Sequence, residues 1–448
     1  MNLRQIFYPK EYGPLLRIGI PITIAQLGLT LQGIADNIMV GWHSTEELAA
    51  AGFVNNIIML VNLLCIGYSM GSVSQIGSRY SQGRYAEIVS FLKSGFVANG
   101  IQCAIIMLVM VLFYFVIPYL GQPEELLPLI KPYYLIGLSS LPFLVIGTTF
   151  KQFTDSTTQT TISMLIMIAG NVWNVIFNYL LIFGKFGFPE LGIEGAGWAT
   201  MSSRILMVLL YLAIFFGKKS FKKYSIHWRA RHASRREVGL LNRIGWPIAI
   251  QMGMEVASFA LVAIPLGWIG TTALAAHQVM INVSSLIFLF YIGVGSAVSI
   301  RVSNYHGLGD YRGVRHAAHA GYEMILVLSV VLSTLAILFR NHIGGWFTDS
   351  QEVSAAVASL VIPIILYQFG DGMQANYVNA LRGFGDVKKL MLYSFIAYIL
   401  ISLPLSYIFG IVMEGGVFGI WMGFPFGLTT AGILYLRRFL KVTRHLVS

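Results

Sequence analysis

The stretch RIGIPITIAQLGLTLQGIADNIMVGW, residues 17–42, is apolar over most of its length and opens with a motif that the chain repeats. About 20 apolar residues in a helix cross a hydrocarbon core of ~30 Å, so this stretch predicts a membrane span. Its opening, RIGIPI from Arg17, recurs as RIGWPI from Arg243, which lies 226 residues later. A membrane span that recurs in this way indicates a chain built from two copies of one unit.

The composition of the whole chain agrees with a membrane protein. Apolar residues make up 56% and charged residues 11% of its 448 residues, whereas about a quarter of the residues in soluble domains are charged. Twelve apolar runs of spanning length lie at about 14–40, 47–77, 88–117, 128–152, 160–184, 192–216, 240–267, 272–302, 314–339, 353–380, 387–410 and 416–436. These runs lack the alternation of a lipid-facing barrel, so we predict that they are helices.

The two copies extend beyond the first motif, since Gly83 and Gly309 also match at the offset of 226 residues. We predict an N-terminal lobe at 1–217, a basic linker at 218–239 and a C-terminal lobe at 240–448. Six spans in each lobe make both lobes enter the membrane from the same side, as in the parallel repeats of some transporters. The predicted fold is an all-α membrane protein with twelve transmembrane helices in two pseudo-symmetric six-helix bundles and a central cleft.

The net charge of +11 is distributed as in a membrane protein. Lys and Arg collect on one side of the predicted spans and acidic residues collect in the opposite loops, so the positive-inside rule makes both termini cytoplasmic. This pattern predicts a multi-pass protein of the cell inner membrane whose linker faces lipid headgroups, and it argues against nucleic acid as a partner. No ATP-binding or hydrolytic motif occurs, so an ion gradient is the expected energy source and no cofactor is expected.

Three carboxylates lie well inside apolar spans, namely Asp36, Glu255 and Asp371. A carboxylate near the bilayer centre costs at least about 2.5 kcal/mol, and such residues usually mark ion or substrate paths. Glu323 lies nearer to the end of its span, where snorkelling to the interface is an alternative to function. The three central carboxylates are therefore the first candidates for a functional site.

A row of amides follows in span five, where the spacing of Asn171, Asn174 and Asn178 puts them on one helix face. Interhelical hydrogen bonding and ion coordination are both open for such a row. Together with Thr200 of span six and Asp36, two of these amides form a set of hard oxygen ligands that suits Na⁺. Protonation of Asp36 provides an equally simple H⁺ relay, because desolvation favours the neutral carboxyl group.

Four motifs occupy defined points of the spans: ADNIMVG closes span one, GNVWNVIFNYLLIFG lies in span five, GAGWAT opens span six and NALRGFGD follows span ten. Together they resemble the multidrug and toxic compound extrusion family over essentially the whole chain. The pair Glu255 and Asp371 is similar to the NorM branch. The resemblance implies a secondary active antiporter, not an enzyme, that exports cationic and amphipathic organic compounds in exchange for Na⁺ or H⁺ by alternating access. We expect it to act as a monomer in the lipid bilayer.

The resemblance also implies roles for individual residues of the N-terminal lobe. Asp36 matches the cation-binding carboxylate of the family, and Asn174, Asn178 and Thr200 match its companions, which makes these four the predicted Na⁺ ligands. Asn178 stands where some relatives carry Asp, so this set has one negative charge fewer. In view of that difference, both Na⁺ and H⁺ stay open as the coupling ion.

In the C-terminal lobe, the resemblance implies a cation and substrate site at Glu255 and Asp371, with Tyr367 and Phe288 as aromatic companions. The two aromatic residues are equally consistent with a role in the apolar core.

Two other functions remain as alternatives. A lipid-linked precursor flippase of the same superfamily would be expected to carry several cations for a pyrophosphate, whereas the membrane charges here are mainly acidic apart from Arg204. A membrane-embedded enzyme would need a nucleophile, metal ligands or a paired acid and base on facing spans.

Overall fold

The computed structural model describes residues 8–444, and the regular structure in that part of the chain is helical. Within it, eleven helices are long and apolar enough to cross a membrane. A further pair, Gln351–Ser359 and Val361–Phe384, is bent by 45° at its junction and forms a twelfth candidate span. The predicted all-helical membrane fold is confirmed.

The helices follow one another with short connections. Those of the N-terminal half are α1 (Pro9–His43), α2 (Thr45–Ser69), α3 (Val73–Ser81), α4 (Tyr85–Tyr114), α5 (Leu127–Ser139), α6 (Leu141–Ser156), α7 (Thr160–Ile182), α8 (Gly192–Gly217) and α9 (Lys222–Ser225). Those of the C-terminal half are α10 (Arg235–Ile269), α11 (Thr271–Leu308), α12 (Tyr311–Leu338), α13 (Gln351–Ser359), α14 (Val361–Phe384), α15 (Leu390–Ser394), α16 (Leu403–Tyr407) and α17 (Gly416–Arg444). Two π-helical stretches, Phe395–Ser402 and Ile408–Val412, continue α15 and α16 into one span.

The duplication predicted from the sequence reaches the helix boundaries. Helices α1 and α10 both contain 35 residues, and their first and last residues are 226 positions apart. The starts of α2 and α11, and those of α4 and α12, differ by the same number. Gly83 and Gly309 precede α4 and α12 with φ of +71° in both cases, a conformation that glycine adopts without Cβ strain. The two copies therefore share helix boundaries and turn conformations at the compared positions.

The chain forms two compact units whose limits differ from those of the predicted lobes. The N-terminal unit comprises Ile24–Ala249, and the C-terminal unit comprises α1 up to Thr23 together with the chain from Ile250 onward. The first part of α1 thus packs with the C-terminal copy, while the linker and the first part of α10 pack with the N-terminal copy. The lobes predicted at 1–217 and 240–448 follow the sequence repeat, and the packing units have different limits.

The starts of α1 and α10 pack with the opposite copy through glycines that let two helices approach closely. In the N-terminal unit, a Cβ added to Gly245 of α10 would lie 2.7 Å from the carbonyl oxygen of Tyr68. In the C-terminal unit, a Cβ added to Gly293 of α11 would lie 3.0 Å from the carbonyl oxygen of Gly19 in α1. Membrane helices associate through such close packing, because lipid offers them no hydrophobic driving force for association.

Polar contacts also hold the start of α1 in the C-terminal unit. The Arg301 guanidinium donates to both carboxylate oxygens of Glu11, with a shortest distance of 2.9 Å. The Tyr12 hydroxyl donates to Glu323 Oε2 at 2.5 Å. Glu323, for which snorkelling and function were both open, therefore has a partner that anchors α1.

Candidate functional site

The candidate ion site of the N-terminal unit is centred on the carboxylate of Asp36 in α1. Its Oδ1 accepts a hydrogen bond from Asn178 Nδ2 of α7. Asn174 lies one turn earlier on α7, and its favoured amide orientation puts Nδ2 2.7 Å from the same Oδ1. The spacing of four residues puts both amides on one helix face, and the fold turns that face toward Asp36.

Thr200 of α8 completes this group of four, which we call the Asp36 cluster. With the amide of Asn174 in that orientation, its Oδ1 accepts a hydrogen bond from the Thr200 hydroxyl at 3.2 Å. Asn174 and Asn178 are fully buried, whereas Asp36 and Thr200 remain partly exposed. Asn178 Oδ1 has no hydrogen-bond partner among the described residues. The cluster therefore combines an accessible carboxylate with amide and hydroxyl oxygens, which are hard ligands.

The third amide of the row, Asn171, lies outside the Asp36 cluster. Its side-chain nitrogen and oxygen find no hydrogen-bond partner within residues 8–444. It packs beside α1 at Gly28, where an added Cβ would lie 2.7 Å from Asn171 Nδ2. Of the amides on this face, only two thus reach the carboxylate.

Gln32 is a neighbour of the Asp36 cluster that the sequence analysis missed. It precedes Asp36 by one turn of α1, interacts electrostatically with its carboxylate and lies within 3.3 Å of the Asn174 amide. A glutamine four residues before a membrane carboxylate shares its helix face, and this spacing was the available signal.

Arg204 finds a hydroxyl group rather than a carboxylate as its partner. Its Nη1 donates to the Ser140 hydroxyl at 2.7 Å. Tyr133 of α5 lies close enough to Asp36 and Arg204 to interact electrostatically with both, and its own hydroxyl donates to Asn55 Oδ1 at 3.0 Å. Arg204 therefore contributes a positive charge to this region, and its hydrogen bond goes to Ser140 rather than to the Asp36 carboxylate.

The candidate site of the C-terminal unit combines Glu255 of α10 with a buried guanidinium. Glu255 Oε2 accepts hydrogen bonds from Gln251 Nε2 at 3.0 Å and from Gln374 Nε2 at 3.4 Å. Arg382 of α14 donates to Gln251 Oε1 and attracts the Glu255 carboxylate. Gln251 thus joins an anion to a cation, a link that the sequence did not reveal because α10 and α14 are distant in the chain.

Asp371 adds a second carboxylate to this site. It is 1% exposed, and its Oδ2 has no hydrogen-bond partner in the described part of the chain. Asp371 and Glu255 lie near enough for their charges to repel each other. A buried carboxylate in this position is costly unless a proton or a bound cation neutralises it. The site is therefore suited to receiving positive charge.

The two aromatic residues predicted for this site lie in different surroundings. Tyr367 is buried one turn before Asp371 on α14, and its ring packs against Phe259 and Trp421. Phe288 of α11 packs against a separate apolar cluster that includes Tyr291. Tyr367 therefore adjoins the carboxylates, whereas Phe288 is half-buried on the side of Tyr291, and its role stays a prediction.

The sequence of the chain matches known membrane proteins. The MatE family model matches residues 21–180 and 247–408, two segments that begin 226 residues apart, as the repeat requires. The multidrug resistance protein NorM of Aliivibrio fischeri is 30% identical, over 98% of this chain and 96% of its own. The multidrug resistance protein PmpM of Pseudomonas aeruginosa is 31% identical, over 98% of this chain and 93% of its own.

The fold also matches solved structures. One of them is the outward-facing conformation of a multidrug resistance MATE family transporter of the MOP superfamily. It superposes with a TM-score of 0.84 over 97% of this chain and 96% of that chain, at 20% sequence identity. At this level of identity, the likeness establishes the shared fold.

Proposed function

The chain belongs to the MatE family of membrane transporters, and on that premise we propose that it is a secondary active efflux antiporter. It exports cationic and amphipathic organic compounds by alternating access, in exchange for Na⁺ or H⁺. Multidrug resistance is the activity named for the similar proteins of Aliivibrio fischeri and Pseudomonas aeruginosa.

The observation that carries this proposal is the Asp36 cluster. A charged carboxylate in a membrane helix is expensive, and it persists where it has a functional partner. Here its protein partners are the neutral amides of Asn174 and Asn178, so the negative charge of Asp36 stays uncompensated within the cluster. Binding of one Na⁺ or one proton neutralises that charge.

The coupling step follows from this change of charge. Na⁺ would be held by oxygens of Asp36, Asn174, Asn178 and Thr200, whereas a proton would sit on the carboxylate alone. Either ion drives transport only by binding one conformation of the protein more tightly than the other. We propose that the neutralised cluster favours the conformation that releases substrate outward.

The site at Glu255 and Asp371 supports cationic substrates. Its two carboxylates outnumber the guanidinium of Arg382, and Tyr367 offers an aromatic surface beside them. An aromatic face and a carboxylate both attract organic cations. We propose that this site binds the drug, while the Asp36 cluster binds the coupling ion.

Transport by the purified protein in vesicles tests this function. Ethidium would be loaded, and a Na⁺ gradient and an H⁺ gradient would be imposed separately on wild-type protein and on Asp36→Asn. We expect one of the two gradients to drive ethidium movement in the wild type and neither to do so in the variant. Movement that both proteins support equally without any gradient would contradict an antiporter.

We further propose that the protein lies in the bacterial inner membrane with both termini in the cytoplasm. The distribution of Lys and Arg supports this orientation. With Cys65 and Cys103 replaced, a cysteine at Ser225 should be shielded from an impermeant thiol reagent in intact cells, and a cysteine at Ser350 should react. The reverse labelling pattern would invert the proposed topology.

A further inference from the structure

The N-terminal unit contains an apolar groove that shares no residue with the Asp36 cluster. Its volume is about 530 Å³, and its walls come from α4, α6, α8 and the linker residue Trp228. Gly100 and Ala104 of α4 line the groove and are exposed, so it opens on the surface of that helix. Ile101 and Ile105 beside the opening are also half exposed, as expected of a helix face in contact with lipid.

The length of the groove along α4 matches the thickness of the hydrocarbon region of one membrane leaflet. It follows α4 from Phe96 to Met107, a helical rise of roughly 16 Å. Half of a hydrocarbon core is about 15 Å thick. Trp228 packs against Phe96 at one end, with 6.5 Å between the ring centroids, and tryptophan favours the membrane interface. The groove thus runs from the interface to about the middle of the bilayer, which is the path of one acyl chain.

Positive charges surround the end of the groove that Trp228 marks. Lys93 Nζ lies 4.5 Å from the Trp228 ring centroid and donates to the Arg231 carbonyl at 2.8 Å. The side chains of Arg229 and Arg231 are exposed on the same linker. Residues 218–239 contain eight Lys or Arg and a single acidic residue. An anionic headgroup is attracted to such a surface.

We propose that this groove binds one acyl chain of an anionic phospholipid, with its headgroup beside Lys93 and the linker cations. The apolar walls take the chain, and the cations select the charge of the headgroup. A cationic drug fits this site poorly, because the same cations repel it. The lipid would tie the linker and α4 to the surrounding leaflet.

Two substitutions separate the chain site from the headgroup site. A Cβ on Gly100 meets no other atom within 4 Å, so Gly100→Leu has room to start a side chain into the groove, and Ala104→Leu adds one from the next turn. Lys93→Gln removes the cation at the mouth. Ile101→Phe is the matched control, since Ile101 is 49% exposed on the same helix but does not line the groove.

Native mass spectrometry of the full chain measures the bound lipid directly. The protein would be released from detergent after incubation with phosphatidylglycerol and phosphatidylcholine that carry identical chains. We expect the wild type to retain phosphatidylglycerol in preference to phosphatidylcholine by several-fold. Gly100→Leu and Ala104→Leu should lower retention of both lipids several-fold, Lys93→Gln should lower the preference for phosphatidylglycerol, and Ile101→Phe should behave as the wild type.

Three results would overturn the assignment. The first is equal retention of the two lipids by the wild type. The second is unchanged lipid retention when Gly100→Leu and Ala104→Leu fill the groove. The third is that the wild type retains ethidium and both variants lose it, while their lipid retention stays constant. That result would assign the groove to the drug instead.

Discussion

The polar site of the N-terminal unit and that of the C-terminal unit differ although their helices are copies. Asp36 is surrounded by neutral amides and a hydroxyl, whereas Glu255 and Asp371 share their site with the guanidinium of Arg382. At the repeat offset, Asp36 corresponds to Val262, and Glu255 corresponds to Leu29. The duplication therefore supplied the scaffold twice, and each copy acquired its own chemistry at a different position.

In the proposed function, this difference corresponds to one site for the coupling ion and another for the drug. A single carboxylate among small oxygen ligands fits a bare ion or a proton. Two carboxylates, a fixed cation and a buried tyrosine form a larger site, and in the proposed function an organic cation would neutralise its excess negative charge. The predictions below test whether the two sites serve ion and drug separately.

The largest effect is expected from Asp36→Asn, which keeps the size of the side chain and removes its charge. We expect active ethidium efflux to fall by at least about tenfold, because a loss of only ~1.4 kcal/mol in ion binding has that effect. Efflux from cells with equal amounts of membrane-inserted protein is the measurement. Binding of ethidium to the purified variant should persist, and efflux at the wild-type level by the variant would contradict the role of Asp36 in ion coupling.

Neutralising the C-terminal site should affect cationic substrates more than neutral ones. Glu255→Gln or Asp371→Asn removes on the order of 1 kcal/mol of attraction for a cation, which is about fivefold in affinity. Binding of ethidium and of an uncharged drug of similar size would be compared by titration of the purified variants. Equal losses for the two compounds would indicate that these carboxylates stabilise the fold rather than the drug.

A smaller shift is expected from the neutral ligands of Asp36. Asn174→Ala and Thr200→Ala each remove a contact worth about 0.6 kcal/mol, which corresponds to about threefold in the cation concentration for half-maximal efflux. Asn171→Ala is the matched control, because it removes an amide from the same face of α7 outside the Asp36 cluster. Cation titrations that Asn174→Ala and Thr200→Ala leave unchanged would mean that Asp36 acts without these oxygens.

The smallest difference is expected at the duplicated turns. Gly83 and Gly309 both have φ of +71°, and a Cβ on either meets no other atom within 4 Å. Alanine at either position should therefore cost only the strain of a left-handed residue, about 1–2 kcal/mol. Thermal unfolding in detergent should show equal losses for Gly83→Ala and Gly309→Ala, with efflux retained. Unequal losses would show that the two copies differ in their scaffold as well.

Much of the fold and many site candidates could be read from the sequence alone. Backbone groups in lipid must be satisfied within a segment, so span number and helical type follow from local apolar length. The offset from RIGIPI to RIGWPI predicted a repeat that the helix bounds of α1 and α10 reproduce. Asp36, Glu255 and Asp371 stood out because a charge in an apolar run is visible without a structure.

The tertiary structure decided which of these polar groups meet. The sequence put Asn171, Asn174 and Asn178 on one face, but only packing against α1 showed that Asn171 stays apart while Gln32 lies beside the Asp36 cluster. The sequence likewise did not predict the partner of Arg204 or the link from Glu255 to Arg382. Such contacts join residues far apart in the chain, and they depend on how closely helices approach each other.

The exchange of the first parts of α1 and α10 between the two units has the same origin. The sequence determined twelve spans and a duplicated template, because length and apolar character act within each segment. Only the packed structure determined that the start of α1 belongs with the C-terminal copy. That choice depends on glycine contacts such as Gly19 with Gly293 and on the ion pair of Glu11 with Arg301, and a contact between distant segments leaves no periodic signal in either of them.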